Sequence, residues 1–201
     1  MVHLQPERHP PVVLVAGIDD TGDKMRAIDD YLTARGWPRG DRVTLVPSDG
    51  TVGLEKLAIQ LDRAVAAFEA AHDERRVDLV AFSLGGIVSR YYLQRLGGYH
   101  HVRRFVCLSS PHHGTYTAFL RGGPGVAEMR PGSPFLQDLN GDTAPLRSIS
   151  CTSIWTPLDM MIMPSTSSRV SWARNIEVPV LLHPWMVGDP RVLSAIATAL
   201  S

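Results

Sequence analysis

The sequence predicts an α/β domain built on a mostly parallel sheet of about six strands with helices on both faces. Two observations carry this. Short β-branched runs alternate with longer segments of helical periodicity along the chain, the pattern of repeated strand–helix–strand units. The runs are apolar at successive positions, as strands buried on both faces require. No repeat, low-complexity tract or linker divides the 201 residues, so residues 1–201 are read as one domain with 1–10 as a flexible leading segment.

The elements follow in order. Residues 11–16 form a β-branched run closed by Gly17 and read as the first strand. In 24–35, Met25, Ile28, Tyr31 and Leu32 fall at helical spacing, and Gly36 supplies the stop. A second strand at 43–46 ends at Pro47. Residues 54–72 place Leu54, Leu57, Leu61, Val65 and Phe68 on one helical face. A third strand spans 77–82, a helix 86–96 and a fourth strand 102–109. Residues 111–147 are dense in Gly and Pro and hold at most a small lid, with short helices at 115–121 and 129–140 framing an open groove. Strands at 149–155 and 178–182 and a helix at 190–200 complete the chain. In such sheets ligands sit beyond the carboxyl ends of the strands, so chemistry is sought there.

Composition narrows the classes. Lys+Arg and Asp+Glu are equal at 20 each, with 44% hydrophobic and 20% charged residues. That balance gives no reason to expect a nucleic acid or an anionic surface as partner. No run approaches the roughly 18 apolar residues of a membrane span, and residues 1–11 lack a signal-peptide core; the expectation is no transmembrane anchor and a cytoplasmic location. Cys107 and Cys151 lie in apolar runs and are read as buried free thiols, a disulfide between neighbouring strands being the other arrangement. Nothing in the sequence bears on oligomeric state.

Ser83, in Ala81-Phe82-Ser83-Leu84-Gly85, follows a strand and opens a helix. Small residues two positions either side permit the sharp turn that lifts a nucleophilic hydroxyl above a sheet. Such a pentapeptide arises by chance in roughly one chain in ten, so its position at a strand–turn–helix junction carries the weight. A serine needs a base, and in this arrangement the acid and then the histidine follow in chain order. His183 is the sole histidine beyond residue 113 and follows an apolar run. Among Asp138, Asp142, Asp159 and Glu177, Asp159 stands out. It follows the 149–155 strand and is flanked by Leu158 and Met160, where an unpaired carboxylate is costly. The backbone N–H groups of Leu84 and Ile18 are placed by position to hold a developing oxyanion.

At these residues the chain resembles the bacterial class 2 lipases. It is similar to the small Bacillus-type enzymes and to short lipase-like hydrolases of cyanobacteria and proteobacteria. The likeness rests on the first strand with Gly17-Ile18-Asp19-Asp20-Thr21-Gly22, and on Val80 through Tyr92. It extends to Ser109-Ser110-Pro111-His112-His113-Gly114-Thr115 and to Thr152 through Asp159. The resemblance covers roughly residues 10–200 and implies an α/β-hydrolase fold with little or no cap. It also implies a Ser83–Asp159–His183 triad acting on small-molecule or lipid carboxylic esters, acylglycerols included, with no cofactor. Ala16 stands where such lipases carry a histidine, and Asp19-Asp20 where small residues are common. The acidic pair is read as repelling anionic substrates or forming a turn.

His112 and His113 are read as structural rather than as metal ligands, and no metal is expected. The stretch 160–163 reads equally as an acyl-binding wall or as core. Acyl transfer, thioester hydrolysis and a catalytically silent binding module are the competing readings of the same triad.

Overall fold

In the computed structural model, which describes residues 9–72 and 75–201, six strands form one sheet. They are β1 (Val12–Val15), β2 (Asp41–Val43), β3 (Val77–Phe82), β4 (Val102–Leu108), β5 (Ser150–Trp155) and β6 (Arg174–Glu177). Their order is β2-β1-β3-β4-β5-β6, and every neighbouring pair is parallel. The leading segment expected to be flexible lies, as far as residue 8, outside the described residues.

Among the described residues six α-helices connect or flank the strands: α1 (Arg26–Thr33), α2 (Leu54–His72), α3 (Leu84–Arg95), α4 (Pro124–Glu128), α5 (Pro134–Gly141) and α6 (Pro190–Leu200). Because strand side chains alternate between faces, each strand feeds two cores. Val13, Val15, Leu79 and Ala81 pack with α2 and α3 on one face. Val12, Leu14, Val80 and Phe82 pack with α1 and α6 on the other. β1 and β3 are buried along their whole length, which is why their sequences carry no period-two alternation.

Four expectations move. Residues 178–182 are not a strand; the sixth strand is the polar segment β6, four residues earlier. Pro179 has no N–H for a ladder, and the Val180 N–H turns to Thr156 Oγ1 at 3.1 Å instead. β2 falls at Asp41–Val43 rather than 43–46. The helix expected at 129–140 begins at Pro134, because Gly132 adopts φ 76° and Ser133 caps the helix, its Oγ accepting the Leu136 N–H at 3.2 Å. The 115–121 segment forms a short 3-10 turn, Tyr116–Phe119.

Candidate active site

Ser83 joins β3 to α3 with φ 53° and ψ −123°, a left-handed conformation that costs a non-glycine residue energy and is held by its surroundings. The turn is forced by close approach on both sides. A Cβ on Gly85 would collide with the Ala16 carbonyl oxygen and lie 2.9 Å from that of Val15; one on Gly86 would run into Ser110. Glycine at both positions lets α3 start hard against the sheet. The Ser83 N–H is anchored to the Leu108 carbonyl at 2.9 Å, and only 6% of the residue is exposed.

Asp159 and His183 meet at the carboxyl edge. His183 Nδ1 lies 2.7 Å from Asp159 Oδ2, and both residues are 3% exposed. The other carboxylate oxygen, Oδ1, accepts the Met161 and Ile162 N–H groups, each at 2.9 Å. Burial opposes ionisation of Asp159, but the hydrogen bond and charge of His183 and the two backbone donors outweigh it and hold the carboxyl below its ordinary value. The loop carrying His183 is fixed by Thr156, whose Oγ1 donates to the Val180 carbonyl at 2.7 Å. The imidazole lies against Phe82, the residue before the nucleophile, with ring centroids 4.7 Å apart. Its second nitrogen, Nε2, is buried with no hydrogen-bond partner among the described residues.

The loop after β1 closes over Ser83. A Cβ on Gly17 would come within 3.1 Å of Ser83 Cβ, so glycine permits that approach, and Ile18 lines the same cavity as Ser83. Leu84 is the first residue of α3, where an N–H has no helical acceptor. Ile18 and Leu84 therefore flank Ser83. The cavity is about 170 Å³ and is walled by Thr115, Ala118, Val126, Met129, Met161 and Ile162 around Ser83.

The acidic pair after Ile18 has two fates. Asp19 takes φ 58° and forms a two-pronged ion pair with Arg121, one contact being Arg121 Nη2 to Oδ1 at 2.9 Å. Arg121 Nη2 also donates to the Asp49 carbonyl at 2.7 Å, so the turn reading holds for Asp19, whose charge is neutralised by the partner. Asp20 is half-buried, and burial raises its carboxyl above the ordinary value.

The palmitoyl protein thioesterase family profile matches residues 11–122, more than half of the chain. The chain belongs to the palmitoyl protein thioesterase family. Among solved structures, the mature form of the Bacillus licheniformis lipase BlEst2 superposes with a TM-score of 0.85 at 16% identity, covering 100% of this chain and 96% of that one. Aspergillus fumigatus lipase B gives 0.80 at 17% identity, over 95% of this chain and 52% of that one. The ydeN gene product of B. subtilis gives 0.71 at 16%, over 94% and 98%. These likenesses establish an α/β-hydrolase fold, and the expected kinship with small Bacillus lipases is borne out at that level.

This family member also holds a buried polar cluster that sequence reasoning missed. Arg90 is fully buried on α3 and donates to the carbonyls of Leu139 at 2.8 Å and His112 at 3.3 Å, and to Gln94 at 3.0 Å. No ion pair to it occurs among the described residues, and burial lowers its pKa to about 10. His112 is buried, with Nε2 3.1 Å from Cys107 Sγ. Both cysteines are free and buried; burial pushes the Cys107 thiol up to about 12 and Cys151 also upward. Among the described residues no group of three or more His, Cys, Asp or Glu is placed to hold a metal ion. A buried arginine at a helix position with no acidic residue beside it in sequence leaves no local signal. The 160–163 stretch divides between the two readings, with Ile162 buried at 3% exposure and Met161 partly exposed at the cavity. Met161 and Ile162 wall the cavity, while Met160 and Met163 stand exposed.

Proposed function

We propose that the chain is a serine hydrolase that cleaves carboxylic esters through an acyl-enzyme. The observation that supports this most is the buried 2.7 Å contact between His183 and Asp159 on the sheet edge that also carries the strained Ser83 turn. In this reading His183 Nε2 takes the Ser83 Oγ proton as Oγ attacks the ester carbonyl carbon. Asp159 keeps the second imidazole proton on Nδ1 and stabilises the imidazolium. The Ile18 and Leu84 N–H groups hold the oxyanion. As the carbon–oxygen bond to the leaving group breaks, His183 returns the proton to that oxygen. Water then attacks the acyl carbon, giving its proton to His183, and Ser83 leaves with that proton as the free acid departs.

Cleavage of a thioester is the second reading, favoured by the family match over residues 11–122. The chemistry differs only in the leaving atom, since a thiolate leaves with less help from the general acid. The cavity is smaller than the roughly 300–1,000 Å³ of pockets that enclose drug-sized ligands, so it takes a short acyl segment and a longer chain continues outside.

Rates on p-nitrophenyl esters from acetate to palmitate, and on the matching S-acyl thioesters, test both readings against Ser83→Ala. The expected result is a loss on the order of 10³-fold or more in the variant, with fluorophosphonate labelling of the native chain alone. Equal rates in the two proteins would remove Ser83 as the nucleophile; no turnover and no labelling of the native chain would leave only a binding module.

A further inference from the structure

The two acidic residues that follow Ile18 part company beside the nucleophile. Asp19 turns outward to Arg121, and that pair neutralises itself. Asp20 turns inward. Its Oδ2 lies 3.3 Å from the position a Cβ on Gly17 would take, and the same position lies 3.1 Å from Ser83 Cβ. The carboxylate is thus within a side chain's reach of the nucleophile, and it feels the charge of His183 as well. Among the described residues this half-buried carboxylate has neither a hydrogen-bond donor nor an ion pair; only the Asp20 carbonyl is engaged, by Ser48 Oγ at 3.2 Å. Its other charged neighbours are Lys24, outside ion-pair reach, and Asp19, already committed to Arg121. An unmet carboxylate in partial burial is costly, and its field is screened less than that of a surface charge.

The side on which it stands decides what it meets. On one side of Ser83 lies the 170 Å³ cavity of Ile18, Thr115, Met129, Met161 and Ile162, where an acyl segment fits. Neither Asp20 nor His183 lines that cavity. In acyl transfer the histidine hands its proton to the departing atom, so the leaving group lies on the histidine's side of the serine. Asp20 shares that side.

We propose that Asp20 selects the leaving group, favouring esters or thioesters whose alcohol or thiol part carries a positive charge and disfavouring anionic ones. The proposal rests on the acyl-cleaving reading for which part of the ligand meets Asp20, and the charge preference is measured with and without turnover. Unit charges about 5 Å apart in a largely aqueous cleft change an equilibrium by roughly three- to tenfold.

The test uses three esters of one acyl chain: butyrylcholine, its uncharged isostere neohexyl butyrate, and the anionic butyrate ester of isethionate. Rates are measured on the native chain and on Asp20→Asn, and affinities for the same esters by NMR titration of Ser83→Ala with and without Asp20→Asn. The native chain is expected to favour the choline ester over the isostere by roughly three- to tenfold in kcat/KM, and the isostere over the isethionate ester by a similar factor. Affinities for Ser83→Ala are expected to rank in the same order. Asp20→Asn keeps the shape and removes the charge, so both ratios should fall to near one. Salt at about 0.5 M should shrink them in the native chain. Thermal midpoints report whether the variants fold, and the ratios and their salt dependence in the native chain need no variant. Equal rates and affinities across the three esters, a preference for the anionic one, or a preference that survives Asp20→Asn would each overturn the proposal. Charge-ranked binding to Ser83→Ala in a chain whose native form cleaves no ester supports the cation preference and removes the hydrolase reading. Cleavage of all three at one rate, lost in Ser83→Ala, does the reverse.

Discussion

His183 and His112 are both withdrawn from water, at 3% and 0% exposure, and each has one ring nitrogen beside a partner and the other without one. What separates them is the partner and the neighbourhood. His183 meets a carboxylate held below its ordinary pKa, which stabilises a proton added to the ring. His112 meets a thiol pushed up to about 12, and burial together with Arg90 drives the imidazole well below its usual pKa. One ring faces a carboxylate at the carboxyl edge. The other is held neutral as packing, edge-on to Trp172 with ring centroids 5.2 Å apart. Burial by itself, then, does not set a histidine's role; the partner on its ring nitrogen separates the two.

The largest effect that would break this contrast comes from Asp159→Asn. Taking away the charge while keeping the shape is expected to cost on the order of 10³–10⁴-fold in kcat/KM on a neutral ester, through loss of the tautomer and of imidazolium stabilisation. A drop of less than tenfold would mean that His183 does not depend on the carboxylate. His112→Phe is expected to do the opposite. Losing the contact to Cys107 and the ring nitrogens should lower stability by about 1–3 kcal/mol in urea unfolding, with kcat/KM within a few-fold of native.

The smallest effect is a pH dependence. Because folding depresses the His112 pKa, the unfolded chain takes up a proton below its ordinary value of about 6.5 while the folded chain does not. Stability is thus full above that pH and is lost progressively as pH falls below it. Asp78 acts in the opposite direction in the same range. Burial raises its carboxyl to about 6 despite Arg103 and Arg104, so it favours the folded state as pH falls through that value. Subtracting the His112→Phe profile from the native one cancels Asp78, and a flat difference between roughly pH 5 and 7.5 would show that His112 is not held neutral.

The sheet was legible because β1 and β3 are buried along their whole length between helix layers, and β4 and β5 end in buried, mostly apolar runs. The Ser83 turn was legible because close approach demands a small residue at 85, while the demand at Gly86 shows only in the fold. Asp159 and His183 could be picked out by chain order and by an acid set among apolar residues. β6 could not, since Arg174 and Glu177 of this edge strand face water and give no apolar run, while the apolar residues at 178–182 pack as loop. The Asp19–Arg121 pair joins residues 102 apart, and the Arg90 cluster reaches 49 residues to Leu139; contacts of that span leave no local pattern. The division of the 160–163 stretch is hidden for a related reason, because methionine and isoleucine read alike whether a loop turns them inward or outward.

The glycines of the Ser83 turn have a consequence for descent. Gly85 is fixed by the backbone of β1 and Gly86 by Ser110, and neither constraint involves the serine hydroxyl. A duplicated copy that had abandoned catalysis would still be obliged to keep both, on pain of misfolding, and would go on displaying the signature of an enzyme. In this lineage a lapsed copy would be told apart first at His183, because Asp159 also accepts the Met161 and Ile162 N–H groups and so keeps a structural task of its own.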